Sequence, residues 1–328
     1  MKNYQHNSKT GSQYNGMAVY QHDSKAVQSA PEIDQLADRF IASLDVAPSS
    51  RETYRRQLKG FFLWMAQAGE NNPDRETILR YKAYLTEQKL SSFSISGYIV
   101  AVRKFFEWTE GTRQYPNIAR GVKGAKKAQG FRKDPLTVAQ IHELLNSIPR
   151  DTLEGKRDFA LLTLMVNTGL RTIEIERAEV ADIRQETGEA VLWIQGKGHD
   201  TKDAFVMLTA SVLKPVQEYL SARGAVKETA PLFTTTGNRG HGEALTTRSI
   251  RRIVKERLAG IDIVSGRLSA HSLRHTAVTL ALLSGASLQD AQAMARHSNI
   301  NTTLIYAHNI SRIQSAPERG IERILKVG

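Results

Sequence analysis

The first part of the chain carries apolar residues at the spacing of an α-helix. Between Glu32 and Glu110 they recur every three or four positions, and one such stripe consists of Tyr54, Leu58, Phe61, Phe62 and Met65. The pattern predicts four short helices that form a small domain over residues 31–112. We expect its large aromatic residues to form the core: Phe61, Trp64, Phe105 and Trp108.

The apolar pattern stops between residues 113 and 135. Three glycines there are interspersed with basic residues, namely Arg120, Lys123, Lys126, Lys127, Arg132 and Lys133. This composition predicts an exposed basic linker, which is either a solvated hinge or a strap across a phosphate backbone. Residues 1–30 are polar and show no periodicity, so we expect a flexible tail.

Helical periodicity resumes at residue 136 and extends, with one interruption, to residue 328. The interruption consists of two β-rich runs, Ala190–Ile194 and Ala204–Leu208, which flank Gly196, Lys197 and Gly198. Such runs around a glycine-rich turn predict a β-hairpin. The predicted fold is therefore mainly α: a small helical N-terminal domain, then a mostly helical domain over residues 136–328 with a small antiparallel β-sheet.

The charge balance favours a phosphate-rich partner. Lysine and arginine number 45 against 33 acidic residues, which gives a net charge of +12. Nucleic acid is favoured modestly over anionic membranes and acidic partners, which stay open on charge alone. The absence of cysteine excludes disulfides, a thiolate nucleophile and cysteine-ligated zinc. No run reaches the length of about 20 apolar residues that a membrane span needs. From the absence of cysteine and the basic charge we expect a cytoplasmic, nucleoid-associated protein.

A histidine-rich motif near the C-terminus contains the first candidate chemistry. His271 and Arg274 are three residues apart and share one face of a helix, while His271 and His275 have the i, i+4 spacing of a zinc pair. A zinc protease helix needs glutamate after its first histidine, and Ser272 stands there. Taken alone, the motif indicates only a structural helix.

Two further motifs change that interpretation. Thr168, Gly169, Leu170 and Arg171 precede the histidine motif, and Tyr306 follows His297 by nine residues. In this order the motifs resemble the tyrosine recombinase (phage integrase) family, of the simple two-domain Xer-like or mobile-element type. The resemblance covers roughly residues 32–328 and implies this catalytic set: Arg171, Lys197, His271, Arg274, His297 and Tyr306. The family more often has glycine where this chain has Arg296.

The resemblance implies a role for each of these residues, and chemistry explains their types. A tyrosine attacks a DNA phosphate and forms a covalent 3′-phosphotyrosine, while two arginines match the added charge with planar, permanently cationic forks. We expect His271 to be the better candidate base and His297 a hydrogen-bond donor to the phosphate. Lys197 corresponds to the general acid, although Lys202 lies on the same hairpin. Glu174 is expected to orient Arg171 or His271.

DNA recognition requires other residues. Residues 247–254 predict a helix with Arg248, Arg251 and Arg252 on a shared side, and the family's corresponding helix enters the major groove. These arginines either read guanine, grip phosphates or form a solvated basic face. Further candidate DNA contacts are Arg55 in the first domain and Lys126 and Lys127 in the linker.

The family also implies an assembly. Its members form a two-domain, C-shaped clamp, and four protomers exchange strands through a Holliday junction without a metal or another cofactor. An apolar stripe after Pro317, made of Ile321, Ile324 and Leu325, suits a segment passed to a neighbouring protomer, although it could pack on its own domain. The alternatives are a type IB topoisomerase, a telomere-resolving enzyme or a non-catalytic DNA-binding protein.

Overall fold

The computed structural model describes the backbone of residues 30–126, 134–196, 198–237 and 240–325, without the side chains of residues 30–34 and of Ile313. The predicted tail (apart from Ala30), Lys127 and Lys197 lie outside the described residues. The chain divides into two compact units, which we call the first unit (Met1–Ala128) and the second unit (Gln129–Gly328).

Within its described residues the first unit consists of four helices, as predicted: α1 (Ala30–Ser43), α2 (Pro48–Ala68), α3 (Arg75–Glu87) and α4 (Ser92–Gly111). The boundaries follow from local chemistry. The Asp74 side chain caps α3 by accepting from the Thr77 backbone N–H at 2.9 Å. Gly69 ends α2 with a φ of 68°, a left-handed conformation that glycine adopts without strain.

Aromatic residues fill the core of the first unit. Phe61, Trp64 and Phe105 are buried and Trp108 packs against them, which confirms the predicted core. The core also includes Ala119 and Val122, with Tyr115, Ile118 and Ala125 packed on it. The first part of the segment predicted as an exposed linker (residues 113–135) therefore packs on this core, because its few apolar residues suffice to anchor it through Ala125.

The second unit is mainly helical. Its described helices are α5 (Val138–Asn146), α6 (Leu153–Thr168), α7 (Thr172–Glu176), α8 (Ala210–Arg223), α9 (Thr247–Ala259), α10 (Ala270–Leu283), α11 (Leu288–Ala295), α12 (Ile300–Gln314) and α13 (Pro317–Leu325). Helix α6 is its central element, because its middle turns are fully buried and it packs against both α8 and α10. No helix in the described parts of the chain has the length and apolar character needed to cross a membrane.

A three-stranded antiparallel sheet completes the second unit. Its strands are β1 (Ile183–Glu186), β2 (Glu189–Ile194) and β3 (Ala204–Met207), in the order β1-β2-β3. Trp193 pairs with Phe205 in the predicted β2–β3 hairpin, which is confirmed. Strand β1 was not predicted, because its polar sequence Ile183–Glu186 lacks the alternation of a half-buried strand. The mainly α fold class with a small antiparallel sheet is confirmed.

Candidate active site

A glycine turn between α6 and α7 positions the first candidate arginine. Gly169 has a φ of 62° and ends α6, with its N–H donating to the Met165 carbonyl. A side chain here would be strained, and its Cβ would lie 3.4 Å from Ala277 Cβ. After this turn Arg171 adopts an extended conformation and directly precedes α7. The turn therefore leads the chain from α6 directly into α7, with Arg171 at the N-cap of α7.

Glu174 lies at the centre of the arginine cluster. Its Oε1 accepts from Arg171 Nη1 at 2.9 Å and Arg296 Nε at 3.3 Å. Its Oε2 accepts from the Arg171 backbone N–H at 2.8 Å and Arg296 Nη2 at 2.7 Å. Burial alone would raise the pKa of Glu174, but the charge and hydrogen bonds of Arg296 and Arg171 outweigh it and lower that pKa. Glu174 is therefore ionised at neutral pH, and it contacts Arg171, one of its two expected partners.

Arg274, on α10, is almost completely buried beside this cluster. It is 2% exposed, and its Nη1 donates to the Gly169 carbonyl at 2.6 Å while Nη2 donates to the Ala295 carbonyl. Burial is the main cause that lowers the pKa of Arg274 to about 9, followed by the charge of Arg171. The guanidinium stays cationic at neutral pH, and two carbonyls from different segments fix its orientation.

Position 296, where the family more often has glycine, lies in a left-handed turn. Arg296 caps α11 with a φ of 52°, a conformation that costs a non-glycine residue roughly 1–2 kcal/mol. This backbone requirement accounts for the preference for glycine. The turn directs the Arg296 carbonyl to Arg171, whose Nη2 donates to it at 3.1 Å.

His297 directly follows this turn and lies close enough to Arg274 and Arg171 for their charges to act on its ring. Its Nδ1 shares a 2.9 Å hydrogen bond with the Thr303 hydroxyl, and its ring stacks near Tyr306 at a centroid distance of 6.3 Å. Burial, and then the charges of Arg274 and Arg171, lower the pKa of His297 to about 4. The imidazole is neutral at pH 7 and can donate one N–H to a phosphate oxygen.

Tyr306, on α12, is buried and its hydroxyl shares a hydrogen bond with His275 Nδ1. Burial raises the pKa of Tyr306 to about 12, against the opposing charge of Arg274. Burial also lowers the pKa of His275 to about 4, followed by the effects of His271 and Arg274. Both groups are therefore neutral at pH 7. The more exposed His271 meets the His275 ring edge-on at 4.6 Å.

His275 is the site residue that sequence reasoning missed. In the sequence, its i, i+4 spacing from His271 suggests only a zinc pair. The signal that could have found it is its place directly after Arg274, which turns it to the inner face of α10. Among the described residues no group of three metal-ligating side chains is suitably placed to hold an ion.

The predicted hairpin lysine, Lys197, lies outside the described residues. Its competitor Lys202 is half-buried, with Nζ donating to Glu179 at 2.9 Å and lying 2.8 Å from Asp182. Burial would lower the pKa of Lys202, but its hydrogen bonds to the two carboxylates raise it. Lys202 therefore stays protonated, with its ammonium bound by two carboxylates.

Helix α9 has the predicted basic face. Arg248, Arg251 and Arg252 are exposed, whereas Ile250 and Val254 are buried. Its inner side is anchored by Arg257, which donates to buried Asp158 at 2.6 and 2.8 Å.

The remaining predicted contact residues lie in the first unit and on α13. In the first unit Lys126 is exposed, and the half-exposed Arg55 pairs with Glu52 at 3.1 Å. On α13, Ile321, Ile324 and Leu325 are all more than half exposed.

Sequence comparison identifies the family of both units. Residues 135–312 match the Phage integrase family, and residues 33–111 match the Phage integrase, N-terminal SAM-like domain. The chain is 30% identical over 280 residues to a tyrosine recombinase of Synechocystis sp., covering 80% of this chain and 87% of the relative. It is 28% identical over 298 residues to a tyrosine recombinase of Synechococcus elongatus, covering 87% and 91%.

A similar fold is found in solved structures. The XerH site-specific recombinase bound to palindromic difH substrate, in a post-cleavage complex, aligns with a TM-score of 0.69. The alignment covers 87% of this chain and 83% of that protein at 22% identity. At this identity the likeness concerns the fold.

Proposed function

Because the chain belongs to the phage integrase family and is a tyrosine recombinase, we propose that Tyr306 attacks a phosphate of a specific DNA site and forms a covalent 3′-phosphotyrosine. The observation that carries the proposal is the convergence of Arg171, Arg274, His297 and Tyr306. They come from four separate segments, and the charges of both arginines act on His297, which stacks near Tyr306. Such a set suits phosphoryl transfer, since it joins fixed cations to a nucleophile.

The two guanidinium groups are proposed to bind the non-bridging oxygens. Arg171 and Arg274 are oriented before substrate arrives, because Glu174 and the Gly169 carbonyl hold them. Preorganised donors of this kind stabilise charge that develops in the transition state, each commonly by about 2.7–4 kcal/mol. Neutral His297 adds one N–H donor. The phosphodiester energy is conserved in the tyrosine linkage, so the reaction as proposed uses no ATP and no metal.

The phenol proton requires an acceptor. His271 is the expected base, and His275 is already bonded to the Tyr306 hydroxyl. In the tautomer that carries its proton on Nε2, neutral His275 offers Nδ1 as acceptor. Since Tyr306 is only 3% exposed, the phenol must turn toward the surface to meet DNA. We therefore propose that His275 holds the resting phenol and that His271, on the exposed side of α10, acts as base during attack.

The departing 5′-oxygen needs a proton, and we propose Lys197 as its donor. Lys202 is disfavoured because Glu179 and Asp182 bind its ammonium.

The DNA partner and the assembly are proposed as well. The XerH relative is described as bound to its difH substrate, and here α9, Arg55, Lys126 and Lys127 would contact the duplex. Four protomers would exchange strands through a Holliday junction and would be linked by α13. Chromatographic mass of the DNA complex, with and without residues 316–328, tests this linkage.

Trapping of a covalent adduct tests the reaction. The recombination site is selected from a pool of random duplexes. A nick is then placed near the cleavage position, so that cleavage releases a short fragment that diffuses away and cannot be rejoined. Wild-type protein should accumulate a protein–DNA adduct, whereas Tyr306→Phe should bind the site and form none. Tyr219→Phe is the matched control, because it removes the hydroxyl of another buried tyrosine in the same unit, one bonded to Thr234. An adduct with Tyr306→Phe, or none with wild type, would contradict the proposal.

A type IB topoisomerase is the nearest enzymatic alternative. The exposed apolar residues of α13 favour the recombinase, since a subunit-linking segment has no use in a monomeric topoisomerase. Relaxation of supercoiled plasmid without the selected site would favour the topoisomerase.

A further inference from the structure

Arg296 binds the active-site carboxylate although it stands where the family more often has glycine. Its Nε and Nη2 each donate to a different oxygen of Glu174, at 3.3 and 2.7 Å. Arg171 also donates to both oxygens, through Nη1 and its backbone N–H. Each carboxylate oxygen therefore accepts one bond from each arginine. Glu174 is fully buried, so its carboxylate is shielded from water, while the Arg171 side chain is 31% exposed.

The backbone of Arg296 reinforces the same bridge. Its left-handed conformation presents the carbonyl to Arg171 Nη2 at 3.1 Å. A second anchor comes from the Met294 carbonyl, to which Arg296 Nη1 donates at 2.5 Å. Arg296 thus acts on Arg171 twice, through Glu174 and through its own carbonyl. Glycine at this position would retain the carbonyl and lose the contact with Glu174.

Charge gives the second contact a consequence. Without Arg296, the single negative charge of Glu174 would neutralise the single positive charge of Arg171. With Arg296 the three groups carry one net positive charge, and with Arg274 the four carry two. A phosphodiester carries one negative charge and gains a second in the pentacoordinate state, so this net charge matches the transition state.

From this bridge we propose that Arg296 is a positioning residue that takes up the charge of Glu174 and so leaves the Arg171 guanidinium oriented and electrostatically available for the scissile phosphate. The proposal rests on the phosphate-clamp function of Arg171 proposed above. It explains why a strained arginine occupies a glycine position. It also separates Arg296 from the catalytic residues proper, because its contacts are with Glu174 and carbonyl groups.

A double-mutant cycle tests the proposal. Single-turnover cleavage of the nicked site is measured at saturating DNA for wild type, Arg296→Gly, Glu174→Gln and the double variant. Arg296→Gly should slow cleavage roughly tenfold to a hundredfold, by analogy with residues that orient the ligands of a metal ion, and leave affinity for the site unchanged. Glu174→Gln should also slow cleavage, because it weakens the hold on Arg171. In the double variant no carboxylate remains to neutralise the charge of Arg171, so it should cut at least as fast as Arg296→Gly.

Two results would overturn the proposal. Wild-type cleavage by Arg296→Gly would make the arginine merely structural. A double variant slower by the product of the two single effects would make Arg296 act independently of Glu174. Failure of wild type to form any adduct would instead refute the proposed function itself. If Arg296→Gly does not fold, Arg296→Asn replaces it in the cycle, because asparagine tolerates the left-handed conformation.

Two further variants complete the design. Arg296→Lys retains the charge and loses the fork that spans both carboxylate oxygens, so its cleavage rate should fall between those of wild type and Arg296→Gly. Arg223→Ala is the matched control, because this half-buried arginine of the same unit also donates to two carbonyls, those of Pro231 and Leu232. Arg223→Ala should cleave at the wild-type rate, and thermal midpoints should report any loss of stability in all variants.

Discussion

At the residue scale, the hydroxyl of the proposed nucleophile, Tyr306, is held by the neutral imidazole of His275. Tyr306 is 3% exposed and its hydroxyl is bonded to His275, whose ring meets His271 edge-on. The pKa values of the phenol and of His275 are displaced in the directions that keep both uncharged. An uncharged resting pair avoids the cost of burying an ion. It also does not compete with the proposed phosphate for the positive charge of the arginines.

Stability should reflect the buried histidine. The pKa of His275 is about 4 in the fold, against 6.5 for the unperturbed group, so the unfolded chain binds the proton more readily between these values. The contribution of His275 to the free energy of unfolding should therefore be fully present above pH 6.5, and up to about 3 kcal/mol of it should be lost as the pH drops to 4. Urea unfolding at pH 7 and pH 5 should show a smaller loss for His275→Gln. An unchanged loss would contradict the assignment, and His142→Gln, at an exposed histidine, is the control.

The general acid can be identified by changing the leaving group. Lys197→Ala should cut a normal phosphodiester slowly and recover when sulfur replaces the bridging 5′-oxygen, because a thiolate hardly needs protonation. Arg274→Ala should not recover, since its defect concerns charge on the non-bridging oxygens. Recovery of Lys202→Ala instead would transfer the role to Lys202, against its double ion pair with Glu179 and Asp182.

At the scale of elements, the sequence pattern predicted those helices and strands whose positions depend on the spacing of apolar residues. The stripes of α2 and α4, the β2–β3 hairpin and the amphipathic α9 follow from periodicity alone. Pattern failed where a few local contacts decide. Strand β1 is polar, and its pairing with β2 stabilises it. Val122 and Ala119 anchor a segment whose glycines and lysines suggest an open linker.

Variants of helix α9 should distinguish contacts to DNA bases from contacts to DNA phosphates. Alanine in place of Arg251 or Arg252 should weaken binding. A phosphate contact would lower affinity for all sequences and reduce the salt slope by about 1, whereas a base contact would cost about 1–3 kcal/mol at one position of the site. Binding titrations over a range of salt, with single base substitutions, distinguish these. Lys227→Ala, at an exposed lysine outside α9, is the control, and unchanged binding by both arginine variants would remove α9 from the interface.

At the scale of the whole molecule, the candidate active site is distributed along the chain, and this limited its prediction. Motif order predicted Arg171, His271, Arg274, His297 and Tyr306 as site residues, because each lies in a recognisable local sequence. The contacts between segments could not be read from order. Glu174 meets Arg296 across 122 positions, and Tyr306 meets His275 across 31. Only folding brings these partners together, so the contacts of Arg296 and the partner of the phenol emerge from the structure.

The position and polarity of the covalent bond to DNA test the central claim most directly. Adduct from the nicked site is digested with nuclease and protease, and the nucleotide-bearing peptide is sequenced by mass spectrometry. We expect one nucleotide, joined through its 3′-phosphate to Tyr306, and a free 5′-hydroxyl on the released strand. A nucleotide on another residue, or a 5′-phosphate linkage with a free 3′-hydroxyl, would contradict the account.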